Sequence, residues 1–185
     1  MKIVNAPQPH NATQAALKPA KNSAKAVNMG NRLAGILTAV AALAALGIAY
    51  VAQHILLLTP CELCLWERWP YRIVAVLGLL AAMVRPRTTR WFLGIAGLVM
   101  LGDVFIAGLH AGVEFGWWPS PLPECNGALT PGAALPLTPA TPCDRPVYLI
   151  HALPLSMAQM DMLAAALFAA ALLVYAARRK TRRFK

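Results

Sequence analysis

The sequence predicts an all-α membrane protein: a four-transmembrane-helix bundle with N- and C-termini cytoplasmic and two periplasmic loops. Three observations predict it. The chain has 185 residues, 58% of them hydrophobic, and a mean hydropathy of +0.54, too apolar for a water-soluble domain of this size. Four stretches are long enough to cross a bilayer, where a span takes about 20 mostly apolar residues. The basic residues fall in three groups that an even number of spans puts on one side.

Taken in order, residues 1–31 are polar, with scattered Ala and Lys and no helical apolar stripe; they are expected to form a mobile cytoplasmic tail. The apolar run that follows starts too late and is too long for a cleavable signal peptide. A membrane domain is expected over residues 32–177, with spans at about 33–52, 63–84, 91–111 and 153–177, and a basic cytoplasmic tail over 178–185. The first span has no charge. The second carries Glu67, Arg68 and Arg72 in its first half and is supported by its place in the topology. The third and fourth carry Asp103 and Asp161. Pro60 suits the start of the second helix, because it lacks an amide hydrogen. The run Arg85-Pro-Arg-Thr-Thr-Arg90 is a short connection that forces antiparallel neighbours. The outer connection 115–152 holds Trp117 and Trp118, which suit a membrane interface, and its Pro-rich part, Asn126 to Pro142, is expected to be mobile.

Orientation follows from charge. Lys2, Lys18, Lys21, Lys25 and Arg32 precede the first span, Arg85, Arg87 and Arg90 join the second to the third, and six more end the chain. These are 14 of the 17 Lys and Arg, with no Asp or Glu among them. The positive-inside rule makes that side cytoplasmic. The net charge of +10 is thus a topology signal with anionic lipid as its contact. Nucleic-acid binding is excluded, because spans split the basic residues.

All four cysteines then face an oxidising compartment, where disulfides persist. Cys61 and Cys64 form a Cys-X-X-Cys pair at the start of the second helix, whose partial positive charge favours a thiolate. Arg68, four residues after Cys64 and seven after Cys61, shares their helical face. A zinc site would need a second close pair or histidines at matching spacing, so no metal is expected. Four cysteines allow three pairings. A staple between Cys125 and Cys143 on an exposed Pro-rich loop would hold little in place, whereas a partner would reach it easily. Arg72 reads as an interfacial snorkelling side chain. Asp103, His110 and Glu114 lie on one helical stripe, and His110 reads either as a polar cap at a span end or as a functional hydrogen-bond donor.

These residues resemble a known family. Gln53-His54, then Pro60-Cys61-Glu-Leu-Cys64-Leu-Trp-Glu-Arg68, is similar to the signature of the disulfide bond formation protein B (DsbB) family. So are His110 followed by Trp118-Pro-Ser-Pro121 and Cys125, and Cys143-Asp144 before the fourth span. The resemblance covers roughly residues 33–177. The 17 residues between Cys125 and Cys143 are few beside the best-known members. The resemblance implies a membrane thiol-disulfide oxidoreductase of the bacterial inner membrane, with its redox cysteines facing the periplasm. It implies catalytic Cys61, Cys64, Cys125 and Cys143, with Cys125 and Cys143 as a second exchange-active disulfide. Electrons would pass from a periplasmic thioredoxin-fold, DsbA-like protein to a membrane quinone, ubiquinone or menaquinone, held near Arg68 and His110. From the residues alone, Asp103 and Glu114 read either as a relay for the protons of quinone reduction or as a satisfied buried Asp and a solvated interfacial Glu. A DsbA–DsbB–quinone chain keeps the bacterial periplasm oxidising. Three other expectations compete: a haem b protein using His54, His110 and His151, an anchor with structural disulfides, and a DsbB-like enzyme with a dedicated partner.

Overall fold

The computed structural model describes residues 9–126, 141–149 and 153–181. Four α-helices follow one another: α1 (Pro9–His54), α2 (Glu62–Met83), α3 (Pro86–Glu114) and α4 (Met157–Thr181), with a 3₁₀ turn at Pro123–Asn126. There is no strand among the described residues. Three helical segments are long and apolar enough to cross a membrane: Asn28–His54, Pro86–Glu114 and Met157–Arg178. The charged first half of α2 keeps it out of that class, although its 22 residues match the others in length.

The helix starts have local causes. Cys61 caps α2, and Pro86 opens α3 at a position where a missing amide hydrogen costs nothing. The turn between α2 and α3 is pinned by Thr89, whose hydroxyl donates to the carbonyl of Ala81 at 3.0 Å. The fourth helix begins at Met157, four residues later than the expected span. Ser156 and Gln159 form a reciprocal capping box there: the Gln159 amide donates to Ser156 Oγ at 3.3 Å and the Ser156 amide to Gln159 Oε1 at 3.4 Å.

The segment expected as a mobile tail over 1–31 is helical from Pro9 onward, continuous with the first span. Its Ala, Lys and Gln are strong helix formers, so propensity suffices where an apolar stripe is missing. Residues 1–8, residues 127–140 of the loop expected to be mobile, His151 and residues 182–185 of the basic tail lie outside the described residues.

Packing runs in sequence order: α1 on α2, α2 on α3 and α3 on α4. Small residues set the closest approach. A Cβ on Gly78 would meet the Ala39 amide nitrogen of α1 at 2.7 Å, and one on Gly35 would meet the Ala82 amide nitrogen of α2 at 2.5 Å. Close backbone contact through small residues is how helices associate where lipid removes the hydrophobic drive. The core is accordingly small-residue rich, with Ala42, Ala75, Ala81, Ala96, Ala165 and Ala169 around Val74, Leu93 and Met100. The outer faces of the helices stay apolar and exposed, among them Leu37, Val40, Val76, Leu98, Phe105 and Leu167. Such a surface calls for an apolar solvent.

Candidate redox site

Cys61 has extended backbone (φ −77°, ψ 171°), and its Sγ accepts the Cys64 amide at 3.3 Å, closing the N-terminus of α2. The second cysteine therefore sits one turn into the helix, and the two sulfurs are 2.8 Å apart as free thiols. His110, from near the end of α3, brings Nε2 to 3.5 Å from Cys61 Sγ. Its other nitrogen, Nδ1, donates to Glu67 Oε1 at 2.8 Å, fixing the ring. His110 and Glu67 are both buried. Carboxylate, imidazole and sulfur thus form a line from α2 through α3 back to the cap of α2.

This line defines the charge on Cys61. The Cys64 thiol donating to its sulfur, above all, and then the His110 imidazole and the Cys64 amide hold the Cys61 thiol well below its usual range, although burial acts in the opposite direction. Cys61 is the thiolate of the pair and Cys64 the donor. The donor set of Cys61, Cys64 and His110, with ligand atoms all within 4.8 Å of one another, also has the make-up of a thiophilic cation site. Sequence spacing concealed it, because His110 lies 46 residues beyond Cys64.

Cys64 faces a different space. A cleft with about 470 Å³ of empty space, open on one side, lies between α1, α2 and α4. Cys64, Glu67, Arg68, Tyr71 and Asp161 line it, together with apolar residues of α1 and Met157 of α4. Arg68 shares this wall with Cys64, as the helical spacing predicts, and is oriented by donating from Nη1 to Gln53 Oε1 at 2.7 Å. His110 is not part of the wall; it touches Cys61 and Glu67 behind it. Sequence reasoning missed Glu67, Tyr71 and Asp161. Tyr71 donates to Asp161 Oδ1 at 2.7 Å. Arg72 stacks over Trp69 at 5.0 Å, in keeping with an interfacial role.

Cys125 and Cys143 are joined by a disulfide. It is buried, with Cys143 1% and Cys125 3% exposed, which corrects the expectation of an exposed bond within easy reach of a partner. The physical reason is packing: the disulfide forms one apolar cluster with Cys61, Leu63 and Val113, flanked by Cys64, Leu109 and Leu122. Trp118 extends this cover, donating from its ring nitrogen to the Leu109 carbonyl at 3.1 Å with its ring over Gly112, where no Cβ would fit. Of the other residues on the Asp103 stripe, Glu114 accepts from the Ser156 hydroxyl, and Asp103 is fully buried with neither oxygen hydrogen-bonded among the described residues. His54 lies against Tyr50 at 4.1 Å between ring centroids, whereas His110 contacts Cys61 and Glu67.

Fold and site define a helical membrane protein built around two cysteine pairs, one a reduced Cys-X-X-Cys at a helix start and the other a disulfide packed beside it. The chain belongs to the DsbB family: the family described as disulfide bond formation protein DsbB matches residues 31–175. It is 37% identical over 75 residues to disulfide bond formation protein B of Ralstonia nicotianae, 40% of this chain and 46% of that protein. It is 33% identical over 72 residues to an uncharacterized protein of Rickettsia prowazekii, 39% of this chain and 41% of that one. The chain thus spans less than half the length of either curated relative in these matches. No solved structure matches.

Proposed function

We propose that this protein re-oxidises a periplasmic DsbA-like dithiol protein and passes the electrons to a membrane quinone. One observation carries the reading: the Cys61–Cys64 pair touches both sides of such a relay. Cys61 packs with the Cys125–Cys143 disulfide, and Cys64 lines a membrane cleft beside a cationic side chain. The positive-inside pattern puts both pairs on the periplasmic side of an inner membrane, with the termini in the cytoplasm.

In this reading a thiolate of the partner attacks the Cys125–Cys143 bond, forming a mixed disulfide at Cys125 and releasing Cys143. Cys143 attacks the Cys61–Cys64 disulfide, and resolution leaves that pair as the dithiol, the state in which its free thiols stand here. Cys143 reaches Cys61, the sulfur it packs with, and Cys64 leaves toward the cleft; His110 and Glu67 then stabilise the Cys61 thiolate released in the resolving step. In this reading His110 acts at the sulfur and not at a quinone oxygen. Cys64 and Arg68 face the cleft, and its apolar α1 wall and single cation suit a quinone headgroup. A quinone bound there supplies the two-electron sink. About 30 mV is worth about 1.4 kcal/mol for a two-electron couple, so an acceptor of high potential is what re-oxidation of an already oxidising partner requires.

Thiol trapping in membranes tests the reading. Cys61 and Cys64 should be trapped reduced when quinone is depleted and oxidised when it is restored, and Cys64→Ser should hold the partner reduced. A structural pair would show one redox state under both conditions.

A further inference from the structure

We propose that Asp161, on α4, is a catalytic acid for the quinone and that Tyr71 positions it. The inference rests on the quinone reading above and adds a residue that the Cys-X-X-Cys motif does not contain. Asp161 lines the same cleft as Cys64 and Arg68, so it touches whatever occupies it. Oδ1 accepts the Tyr71 hydroxyl at 2.7 Å, and Oδ2 is buried with no hydrogen-bond partner among the described residues. An acidic side chain is expensive inside a membrane span and is retained there for use. A proton carried on Oδ2 would meet no acceptor among the described residues, a costly state for a buried hydroxyl. A quinone carbonyl is an acceptor of the right kind.

The step balances. The Cys61–Cys64 dithiol loses two electrons as its S–S bond forms, and it loses two thiol protons. Asp161 gives its proton to one quinone oxygen and regains the Cys64 proton, since both groups line the cleft. Arg68, in the same wall, offsets the carboxylate charge in between. The proton of Cys61, held by His110 and Glu67, reaches the other oxygen through Glu67, which also lines the cleft. Two electrons and two protons leave as quinol, and Asp161 ends the turnover as it began.

Asp161→Asn separates chemistry from structure, because the amide still accepts from Tyr71 and still donates a hydrogen bond but is no acid. The full chain in detergent is reduced at Cys61 and Cys64 and mixed with a short-chain ubiquinone. Binding is read by quenching of tryptophan fluorescence, and dithiol oxidation by single-turnover mixing at saturating quinone. Asn should keep affinity within roughly tenfold, the worth of one neutral hydrogen bond. It should slow oxidation by roughly 10²–10⁴-fold, the usual contribution of a positioned acid. Asp161→Glu should restore much of the rate. A quinone-induced shift of a carboxyl C=O infrared band should vanish in the Asn variant. An Asn variant that oxidises as fast as the parent, or one that loses affinity alone, overturns the role of Asp161 and leaves the quinone reading intact. A parent protein that neither binds nor reduces the quinone overturns both.

Discussion

Replacing His110 by Ala removes the α3 side chain that hydrogen-bonds the Cys61 sulfur. The Nε2–Sγ contact is 3.5 Å, and Glu67 at 2.8 Å on the far nitrogen backs it with negative charge. A hydrogen bond to a charged group is worth roughly 1.5–3 kcal/mol. At 1.36 kcal/mol per pKa unit, its loss raises the Cys61 thiol by about 1–2 units. The Cys64 thiol and amide still donate to Cys61, so the group stays below the ordinary thiol range. The sign follows from a depressed value: the thiolate is present at neutral pH and is lost as pH falls through that value. The assay is iodoacetamide alkylation against pH on the reduced chain, in a background where Cys125 and Cys143 are both Ala, with peptides assigned by mass spectrometry. In His110→Ala the inflection of the profile moves up by about 1–2 units, and below both inflections the rate drops about 10–100-fold. Glu67→Gln moves it the same way by less. An unmoved inflection, or Cys64 alkylating first at low pH, would refute the reasoning.

Other outcomes follow from the same geometry. Gly78→Val drives two methyls into the α1 backbone, where a Cβ alone meets the Ala39 nitrogen at 2.7 Å, so thermal unfolding in detergent should show a loss of at least the roughly 1–3 kcal/mol of overpacking. Zinc ions should bind the reduced pair one to one and slow its re-oxidation, with a chelator reversing both; Glu67→Gln should weaken that binding roughly 10–100-fold, as loss of an outer-shell carboxylate does. The Cys125–Cys143 bond, 3% and 1% exposed, should be reduced by a small phosphine more slowly in the folded protein than after denaturation, as measured by mass-tag gel shift, and a partner has to open its cover to attack it.

Much of this was legible in the residues. Apolar length gave three spans, and Cys64 with Arg68 gave the face of α2 that meets the cleft, because both signals are local in sequence. The pairs that organise the site are not local. His110 meets Glu67 across 43 residues and Tyr71 meets Asp161 across 90, so no helical spacing brings them together. Glu67, Tyr71 and Asp161 therefore read as incidental polar groups in apolar runs until α2, α3 and α4 are packed. The burial of Cys125 and Cys143 was hidden for a related reason. The prolines around them argue against regular structure, yet irregular chain can still lay its sulfurs on the apolar cap formed by Leu63 and Val113. The helix before residue 32 shows the opposite limit: a polar segment without a stripe still follows its intrinsic propensity.

The central claim is that electrons cross from a soluble dithiol, through two cysteine pairs, to a membrane quinone. Its most direct test is the full chain in proteoliposomes with a reduced DsbA-like protein and, in turn, ubiquinone, menaquinone or no quinone, following partner thiols and quinol together. The account predicts one quinol formed per partner disulfide, with no turnover without quinone or with Cys64→Ser. Partner oxidation that continues without quinone, or quinol formation that survives loss of Cys64, would contradict it.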